Sequence, residues 1–188
     1  VLLAGGTVRV SQENNPALLL DLLLEDQLTI FLLVPTLFQK IADLTQFTNI
    51  DLSKLNVRLV ASGGAPIKTS LIQSWKDKGI VIQNGCGLTE SGPTLFLQNK
   101  EEAIRKPCAI GNCVERTQVK LVGPDGSQVN PSETGEIWIK GDAVTPGYWR
   151  NAQANQQAFR NGWFRTGDVA VFKDDQYWII DRLNEMFI

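Results

Sequence analysis

The sequence predicts an α/β plus β fold: part of a parallel sheet with packed helices, followed by a small antiparallel β-barrel-like subdomain. Up to Arg105, apolar strand patterns alternate with amphipathic helix patterns, and this alternation is typical of a parallel sheet covered by helices. After Lys106, turn sequences such as Gly123–Gly126 separate the apolar runs, which favours antiparallel hairpins. We therefore place an α/β subdomain at residues 1–105 and a β-rich subdomain at residues 106–181.

The first half is predicted to alternate strands and helices along its length. Asn15 and Pro16 mark a helix start, with asparagine as the cap and proline at the first helical position. Ile30–Val34 is an unbroken apolar run, as expected for a parallel strand covered on both faces. The predicted elements are a short strand ending at Val8–Val10, a helix from Pro16, a strand at Ile30–Val34, a helix from Pro35, a strand at Val57–Ala61, a helix at Pro66–Lys78 stopped by Gly79, and a strand at Ile80–Gln83.

The second half contains short strand patterns of the kind found in antiparallel sheets. These patterns lie at Val119–Leu121, Ile137–Ile139, Val169–Phe172 and Tyr177–Ile180. The last two flank the polar segment Lys173–Gln176, which predicts a β-hairpin.

Composition excludes several classes of function. The chain has 188 residues, 18 basic and 20 acidic side chains, and no histidine. The balanced charge, equally divided between the halves, argues against nucleic acid or an anionic membrane surface as a partner. Without histidine, a serine–histidine–aspartate triad, a histidine-dependent zinc site and an imidazole base are all excluded.

Cysteine usage and hydropathy favour a protein of the reducing cytoplasm. Cys86, Cys108 and Cys113 lack the paired spacing of a zinc ribbon or a disulfide framework. Acidic residues interrupt the leucine-rich stretch at 17–34, so we expect no transmembrane segment there. The chain starts at Val1 without methionine and stops at Ile188 inside an apolar run, which predicts an internal piece of a longer protein.

Two glycine-containing segments follow successive predicted strands. Ser62–Pro66 could let a ligand approach the backbone closely, but a strand–helix turn that needs a positive φ explains it as well, and on this motif alone the turn is favoured. Asn84–Ser91 places the Thr89 hydroxyl beside the Glu90 carboxylate, which suits a phosphate oxygen and Mg²⁺; the alternative is a solvated loop. Ligands of open parallel sheets bind outside the carboxyl ends of the strands, so two such segments together favour a site.

Two further segments carry candidate polar groups. Gly162–Asp168 places two aromatic residues beside a Gly-Asp pair, and a fixed Asp168 carboxylate suits the vicinal hydroxyls of a ribose. A turn capped by Asp168 is the alternative. Asp181 and Arg182 follow the last predicted strand and also fit a charged surface edge.

Taken together and in order, six motifs resemble the adenylate-forming superfamily, which contains acyl-CoA synthetases, beetle luciferases and the adenylation domains of peptide synthetases. The motifs are Ser62–Pro66, Asn84–Ser91, Gly135–Gly141, Gly147–Trp149, Gly162–Asp168 and Asp181–Arg182. The resemblance runs from about Gly5 to the last residue and is closest to acyl-CoA synthetases of fatty or aromatic acids. It implies activation of a carboxylic acid by ATP to an acyl-adenylate, release of pyrophosphate, and transfer of the acyl group to coenzyme A.

The resemblance also implies roles for individual residues. Thr89 would contact the α-phosphate and Glu90 would bind Mg²⁺ as the metal ligand; these two are the candidate catalytic residues. Asp168 would accept from the ribose hydroxyls, with Arg182 near them, and Asn84 would reach the adenine edge. The full set expected to bind ATP or AMP and the acyl group is Gly63, Gly64, Ala65, Pro66, Asn84, Gly85, Cys86, Gly87, Leu88, Thr89, Asp168, Ile180 and Arg182.

The sequence departs from the family pattern at two positions. Cys86 stands where the family usually stacks an aromatic ring on the adenine. Residues 182–188 would form the start of the hinge to a C-terminal domain, and Asn184 stands at the hinge position, where the family usually has lysine or aspartate. The family's phosphate loop would lie upstream of Val1, and its C-terminal domain with the adenylation lysine beyond Ile188. We therefore expect the chain alone to be inactive, and open sheet edges could allow self-association or a homo-oligomer.

Two alternative functions remain open at the level of sequence. One is a non-catalytic nucleotide-binding or interaction module derived from this family. The other is a luciferase-like or peptide-synthetase relative, although no acidic residue stands where it would clearly hold an amino group.

Overall fold

The computed structural model describes residues 2–10, 13–25 and 28–183. Within these ranges the chain forms six α-helices and ten strands in two sheets, after a 3₁₀ turn at Leu2–Ala4. The helices are α1 (Pro16–Glu25), α2 (Pro35–Ala42), α3 (Thr45–Thr48), α4 (Thr69–Lys76), α5 (Lys100–Arg105) and α6 (Ala152–Ala158). The strands are β1 (Ile30–Leu33), β2 (Leu59–Ser62), β3 (Ile82–Leu88), β4 (Gly92–Leu97), β5 (Asn112–Cys113), β6 (Thr117–Val122), β7 (Thr134–Gly141), β8 (Phe159–Arg160), β9 (Trp163–Lys173) and β10 (Gln176–Arg182).

The first sheet is mixed, with strands in the order β1-β2-β3-β4-β5. Strands β1, β2 and β3 are parallel, whereas β4 and β5 continue the sheet antiparallel. Helices α1 to α4 bury their apolar faces against it in one cluster, in which Phe38 and Trp75 are fully buried and meet edge to face at 5.0 Å. The prediction of a parallel sheet with packed helices is therefore confirmed for this part of the chain.

The second sheet is antiparallel, in the order β10-β9-β7-β6, with β8 paired to β9. It confirms the predicted antiparallel subdomain, but within the described residues it stays an open sheet and does not close into a barrel. The reason lies at the outer edge of β10: Tyr177 exchanges hydrogen bonds of 2.9 and 3.1 Å with the backbone of Ile110 and Gly111. That edge therefore joins the second sheet to the segment before β5 rather than to β6.

The predicted strand ending at Val8–Val10 and the two-sided burial of Ile30–Val34 are both wrong. Residues 6–10 form no strand, and the Val8 and Val10 side chains are 50% and 78% exposed. Without a strand beyond it, β1 is the edge of the sheet, and Leu32 is 65% exposed. One face of this apolar strand consequently lies open.

Two boundaries near the predicted glycine segments also differ. Helix α4 begins at Thr69 rather than Pro66, because Ile67 turns into the core (6% exposed) and Lys68 keeps an extended backbone. Strand β3 runs on to Leu88 rather than ending at Gln83, because its last residues pair with β4 through a hairpin turn at 89–91. The residues from Asn84 to Leu88 are thus strand and not loop.

The predicted turn and hairpin of the second half are confirmed. The Gly126 amide donates to the Gly123 carbonyl at 3.0 Å. Strands β9 and β10 are joined by Asp174 and Asp175, which both have positive φ (52° and 62°); a two-residue turn of this handedness matches the twist of the flanking strands.

A buried amide connects the two sheets. The Gln98 side chain is 2% exposed; its oxygen accepts from the Asn84 amide at 3.1 Å, and its nitrogen donates to the Lys106 carbonyl at 2.8 Å and to Gln176 at 3.1 Å. These partners lie on β3, after α5 and on β10, so one side chain fixes all three segments.

The hydrophobic clusters divide within the β3–β4 hairpin. Residues up to Ile82 belong to the cluster under the first sheet, whereas Leu95 and Phe96 of β4 pack with the second sheet. Strand β4 is therefore bonded to one sheet and packed against the other. The subdomain boundary after Arg105 stays a prediction.

Close backbone approach in the β3–β4 hairpin makes Gly87 a test of this fold. A Cβ added to Gly87 would lie 2.3 Å from the Pro93 carbonyl oxygen. We expect Gly87→Ala to push the strands apart and to lower the free energy of unfolding by about 1–3 kcal/mol, measured by urea denaturation.

Gly5→Ala is the control, because Gly5 has positive φ (75°) but nothing within 4 Å of an added Cβ. The left-handed backbone alone should cost this variant about 1–2 kcal/mol. Equal losses in the two variants would contradict the steric explanation for Gly87.

Candidate functional site

A cavity of about 500 Å³ opens where the carboxyl end of β3 faces the middle of β9 and the end of β10. A volume of this size is typical of small-molecule sites. Its described lining consists of Gly64, Ala65, Pro66, Ile67, Asn84, Gly85, Cys86, Gly87, Leu88, Cys108, Ile110, Asp168, Ile179, Ile180, Asp181 and Arg182.

One wall is formed by the segment between β2 and α4 together with the end of β3. Gly64 has a φ of +82°, a conformation that side chains rarely adopt, and this lets the chain turn there. A Cβ on Gly63 would contact the Gly85 carbonyl oxygen at 3.3 Å, so the two segments approach backbone to backbone. This wall offers mainly apolar surface and backbone groups.

The opposite wall carries a buried ion pair. The Asp168 carboxylate is only 6% exposed and accepts from the Arg182 Nε at 2.8 Å, while the Arg182 side chain is 54% exposed. Asp168 and Arg182 are also direct partners in the β9–β10 register. A buried carboxylate with a charged partner on one oxygen can still accept hydrogen bonds from a ligand.

Both strands of this wall are irregular at the site. On β10 the register shifts between Ile179 and Asp181, leaving Ile180 as an extra residue that is 59% exposed and lines the cavity. On β9 the register opposite β7 shifts across residues 166–168, which include Asp168. Such bulges re-aim side chains, and they are common beside functional sites.

Asn84 lies on the floor of the cavity with its amide already engaged. Its side-chain nitrogen donates to the carbonyls of Ala109 and Cys108 at 3.1 and 3.4 Å, and the residue is 5% exposed. These bonds hold the segment 108–110 against β3, which brings Cys108 and Ile110 into the lining.

Thr89 and Glu90 lie in the hairpin turn directly after Leu88, outside the described lining. Glu90 accepts a hydrogen bond of 2.7 Å from the Tyr148 hydroxyl, and its carbonyl accepts from the Thr145 amide at 2.7 Å. Burial, and then the bond to Glu90, raises the pKa of Tyr148. The turn is therefore tied to the segment after β7.

The oxygen-bearing side chains at Glu90 decide what kind of divalent-cation site could form there. Among the described residues there is no group of three or more cysteine, aspartate or glutamate side chains that could hold a metal. Mg²⁺ usually takes one or two carboxylates and completes its shell with phosphate oxygens and water. One carboxylate beside one hydroxyl fits a magnesium ion that arrives with a nucleotide, and not a preformed all-protein site.

The structure brings most of the predicted site residues together around one cavity. Gly63 and Thr89 lie next to lining residues and Glu90 follows Thr89, but these three are not in the described lining. Sequence reasoning assigned no role to Ile67, Cys108, Ile110, Ile179 and Asp181, which also line the cavity. Asp181 belonged to a singled-out motif and Ile179 flanks the predicted site residue Ile180, whereas the other three had no sequence signal.

Cys86 lines the cavity, and its thiol is a poor nucleophile. Burial, and then the negative charge of Asp168, raises the pKa of Cys86 from 9.0 to about 11, although Arg182 opposes this. The thiolate is the reactive form, so Cys86 is not activated for nucleophilic chemistry.

The raised pKa predicts slow alkylation of Cys86. At pH 8 the thiolate fraction should be about 100-fold below that of an ordinary thiol; iodoacetamide labelling followed by peptide mass spectrometry measures the rate. The same chain unfolded in guanidinium is the control, and equal folded and unfolded rates would contradict the assignment. By linkage, this thiol adds stability that is present below pH 9.0 and is lost as the pH rises towards 11.

None of the helices in the described ranges is long and apolar enough to cross a membrane.

Comparison with known proteins identifies the family. The family model described as AMP-binding enzyme matches residues 1–149. Feruloyl-CoA synthase from an Amycolatopsis species is 36% identical over the whole chain, which spans 38% of that relative's length. A long-chain-fatty-acid–CoA ligase from Salmonella typhimurium is 35% identical over 157 residues, 82% of this chain and 28% of the relative.

Solved structures agree with this result. The chain matches o-succinylbenzoate coenzyme A synthetase from Bacillus subtilis, solved in complex with ATP and magnesium ion, with a TM-score of 0.86 and 25% identity over 98% of this chain and 38% of that one. The N-terminal domain of FACL13 from Mycobacterium tuberculosis matches with a TM-score of 0.79 and 32% identity, over 89% of this chain and 42% of that one. The two-sheet fold is thus a known architecture, and the chain belongs to the family of AMP-binding enzymes.

Proposed function

We propose that this chain supplies the adenylate-binding part of an ATP-dependent acyl-CoA synthetase, an acid–thiol ligase. In the reaction, a carboxylate oxygen of the acid bonds to the α-phosphorus of ATP as pyrophosphate leaves. The thiol of coenzyme A then bonds to the acyl carbon, and AMP leaves. The observation that carries the proposal is a cavity with an apolar backbone wall on one side and the buried Asp168 carboxylate on the other.

The two walls suit the two ends of an acyl-adenylate. Asp168 would accept from the ribose hydroxyls, with Arg182 and Ile180 beside it. The segment from Gly63 to Pro66 and Asn84 would lie along the adenine. Cys86 would face the adenine, and the backbone of Gly87 and Leu88 would line the path of the acyl group, with Gly85 beside them in the lining.

Thr89 and Glu90 would handle the phosphate at the end of β3. The Thr89 hydroxyl would donate to the α-phosphate, and the Glu90 carboxylate would hold Mg²⁺, which neutralises phosphate charge when bound. The hydrogen bond from Tyr148 fixes one oxygen of Glu90 and leaves the other for a cation.

The relatives and the lining support a fatty or aromatic acid as the substrate class. The described lining includes Ile67, Leu88, Ile110 and Ile179, which suit an apolar acyl group. The free cysteines support a cytoplasmic setting, and the exposed face of β1 supports self-association or a homo-oligomer.

We expect the 188-residue chain alone to release no pyrophosphate. In the described lining the cationic side chain is Arg182, and its charge is already paired with Asp168, so even with Mg²⁺ present no side chain of the lining would stabilise the pyrophosphate as it leaves. A pyrophosphate-release assay with ATP, Mg²⁺ and feruloyl or long-chain acids tests this. Turnover by the purified chain would refute the expected inactivity while leaving the ligase assignment standing.

The ribose role of Asp168 is tested by ligand binding, which needs no turnover. A non-hydrolysable acyl-sulfamoyl adenosine should bind the Asp168→Ala chain more than about tenfold more weakly in isothermal titration, because a hydrogen bond to a charged group contributes about 1.5–3 kcal/mol.

Asp142→Ala removes an exposed carboxylate from the same subdomain and is the matched control. It should bind the analogue like the unsubstituted chain. If Asp168→Ala retains full affinity while remaining folded, Asp168 does not bind the ribose and the proposal loses its central observation.

A further inference from the structure

Glu136 is a buried carboxylate that does not line the cavity. It lies on β7, and its side chain is 9% exposed. Three donors converge on it: the Trp138 indole at 2.8 Å and the Arg165 Nε at 3.1 Å bond to Oε2, and the Gly167 amide bonds to Oε1 at 3.2 Å. The third donor is the residue immediately before Asp168.

The pairing of β7 with β9 explains why this contact matters. Glu136 is opposite Val169 and Trp138 is opposite Arg165, so Ile137 alone faces the three residues 166–168. In a regular antiparallel ladder, one β9 residue would lie opposite Ile137. The extra residues form a bulge, and Asp168 is its last member.

Two side chains hold this bulge against β7. The Thr166 hydroxyl donates to the Ile137 carbonyl at 2.8 Å and accepts from the Asp168 amide at 3.1 Å. Glu136 satisfies the Gly167 amide, and the Gly167 carbonyl accepts from Leu183 at 2.8 Å. Gly167 itself has a φ of +76°, which only the bulge conformation requires.

The charge of Glu136 fits a positioning role. Its ion-pair partner Arg165 is 38% exposed, so solvent screens much of that pair. The bond to the Gly167 amide is partly buried, because the Glu136 residue is only 8% exposed. A buried carboxylate costs desolvation unless its hydrogen bonds are made, and here one of them controls the backbone beside the cavity.

We propose that Glu136 is a positioning residue that holds the β9 bulge and thereby aims the Asp168 carboxylate at the 2′- and 3′-hydroxyls of a bound adenylate. This inference rests on the proposed function, because it assigns Asp168 to the ribose. It places the control of nucleotide binding partly on a strand that the ligand does not touch.

The test compares two probes that differ only at the ribose: acyl-sulfamoyl adenosine and its 2′,3′-dideoxy counterpart. Glu136→Ala should weaken binding of the hydroxyl-bearing probe about tenfold and leave the dideoxy probe within about twofold. Glu136→Gln keeps one oxygen for the Gly167 amide but turns an NH2 group towards the Trp138 and Arg165 donors, so it should recover part of the loss. Glu115→Ala, on an exposed glutamate, is the matched control and should change neither affinity.

Thr166→Val provides a second route to the same bulge if Glu136→Ala does not fold. It removes both hydroxyl bonds at nearly constant volume, and it should give the same ribose-dependent pattern. Near-UV circular dichroism verifies that each variant is folded.

Two kinds of outcome would refute this inference. The first refutes the role of Glu136 alone, and the second also refutes the ribose role of Asp168. Equal losses for both probes in Glu136→Ala, or failure of both Glu136→Ala and Thr166→Val to fold, would show a general structural role and overturn the inference alone. If the unsubstituted chain binds neither probe, or binds both equally, the ribose role of Asp168 is refuted and the inference falls with it.

Discussion

The joining of the two sheets depends on a buried amide, that of Gln98. It has no charge, yet it is bonded to β3, to the end of α5 and to β10, segments that belong to both sheets. A buried amide must make its hydrogen bonds, because each unsatisfied group costs free energy. Together with the hydrogen bonds between Tyr177 and residues 110–111, Gln98 therefore fixes β10 against the segments around β3, and the cavity lies between the end of β3 and Asp168.

The site itself is built from departures from regular strand geometry. In an uninterrupted antiparallel ladder, side chains alternate between the two faces, but bulges on β9 and β10 break that alternation where the strands meet the cavity. Asp168 and Ile180 lie at these irregular positions, and Arg182 is paired with Asp168. Glu136 supports one bulge from inside the sheet, so the placement of the carboxylate depends on hydrogen bonds as well as on strand pairing.

Much of this could be predicted from the sequence, and the failures have physical causes. Asn15-Pro16 and the Asp174-Asp175 turn depend on local backbone preferences, so their structures follow from a few residues. Val8–Val10 has a strand pattern, but a strand needs a partner, and residues 6–10 have none in the described chain. The strand character of Asn84–Leu88 was hidden because its glycines are typical of loops, whereas here they permit close approach to β4. Glu136 looked like part of a strand motif, since only the β9 register reveals what it holds.

The position of β4 has a consequence for how such a chain can be altered by recombination. This strand is hydrogen-bonded to β3 in the first sheet, whereas its Leu95 and Phe96 side chains pack in the core of the second sheet. A crossover between two related genes anywhere from 83 to 113 would join a strand from one parent to a core from the other. Mismatched packing of this kind is costly. Productive crossovers should therefore fall outside residues 83–113, and this segment should come from a single parent.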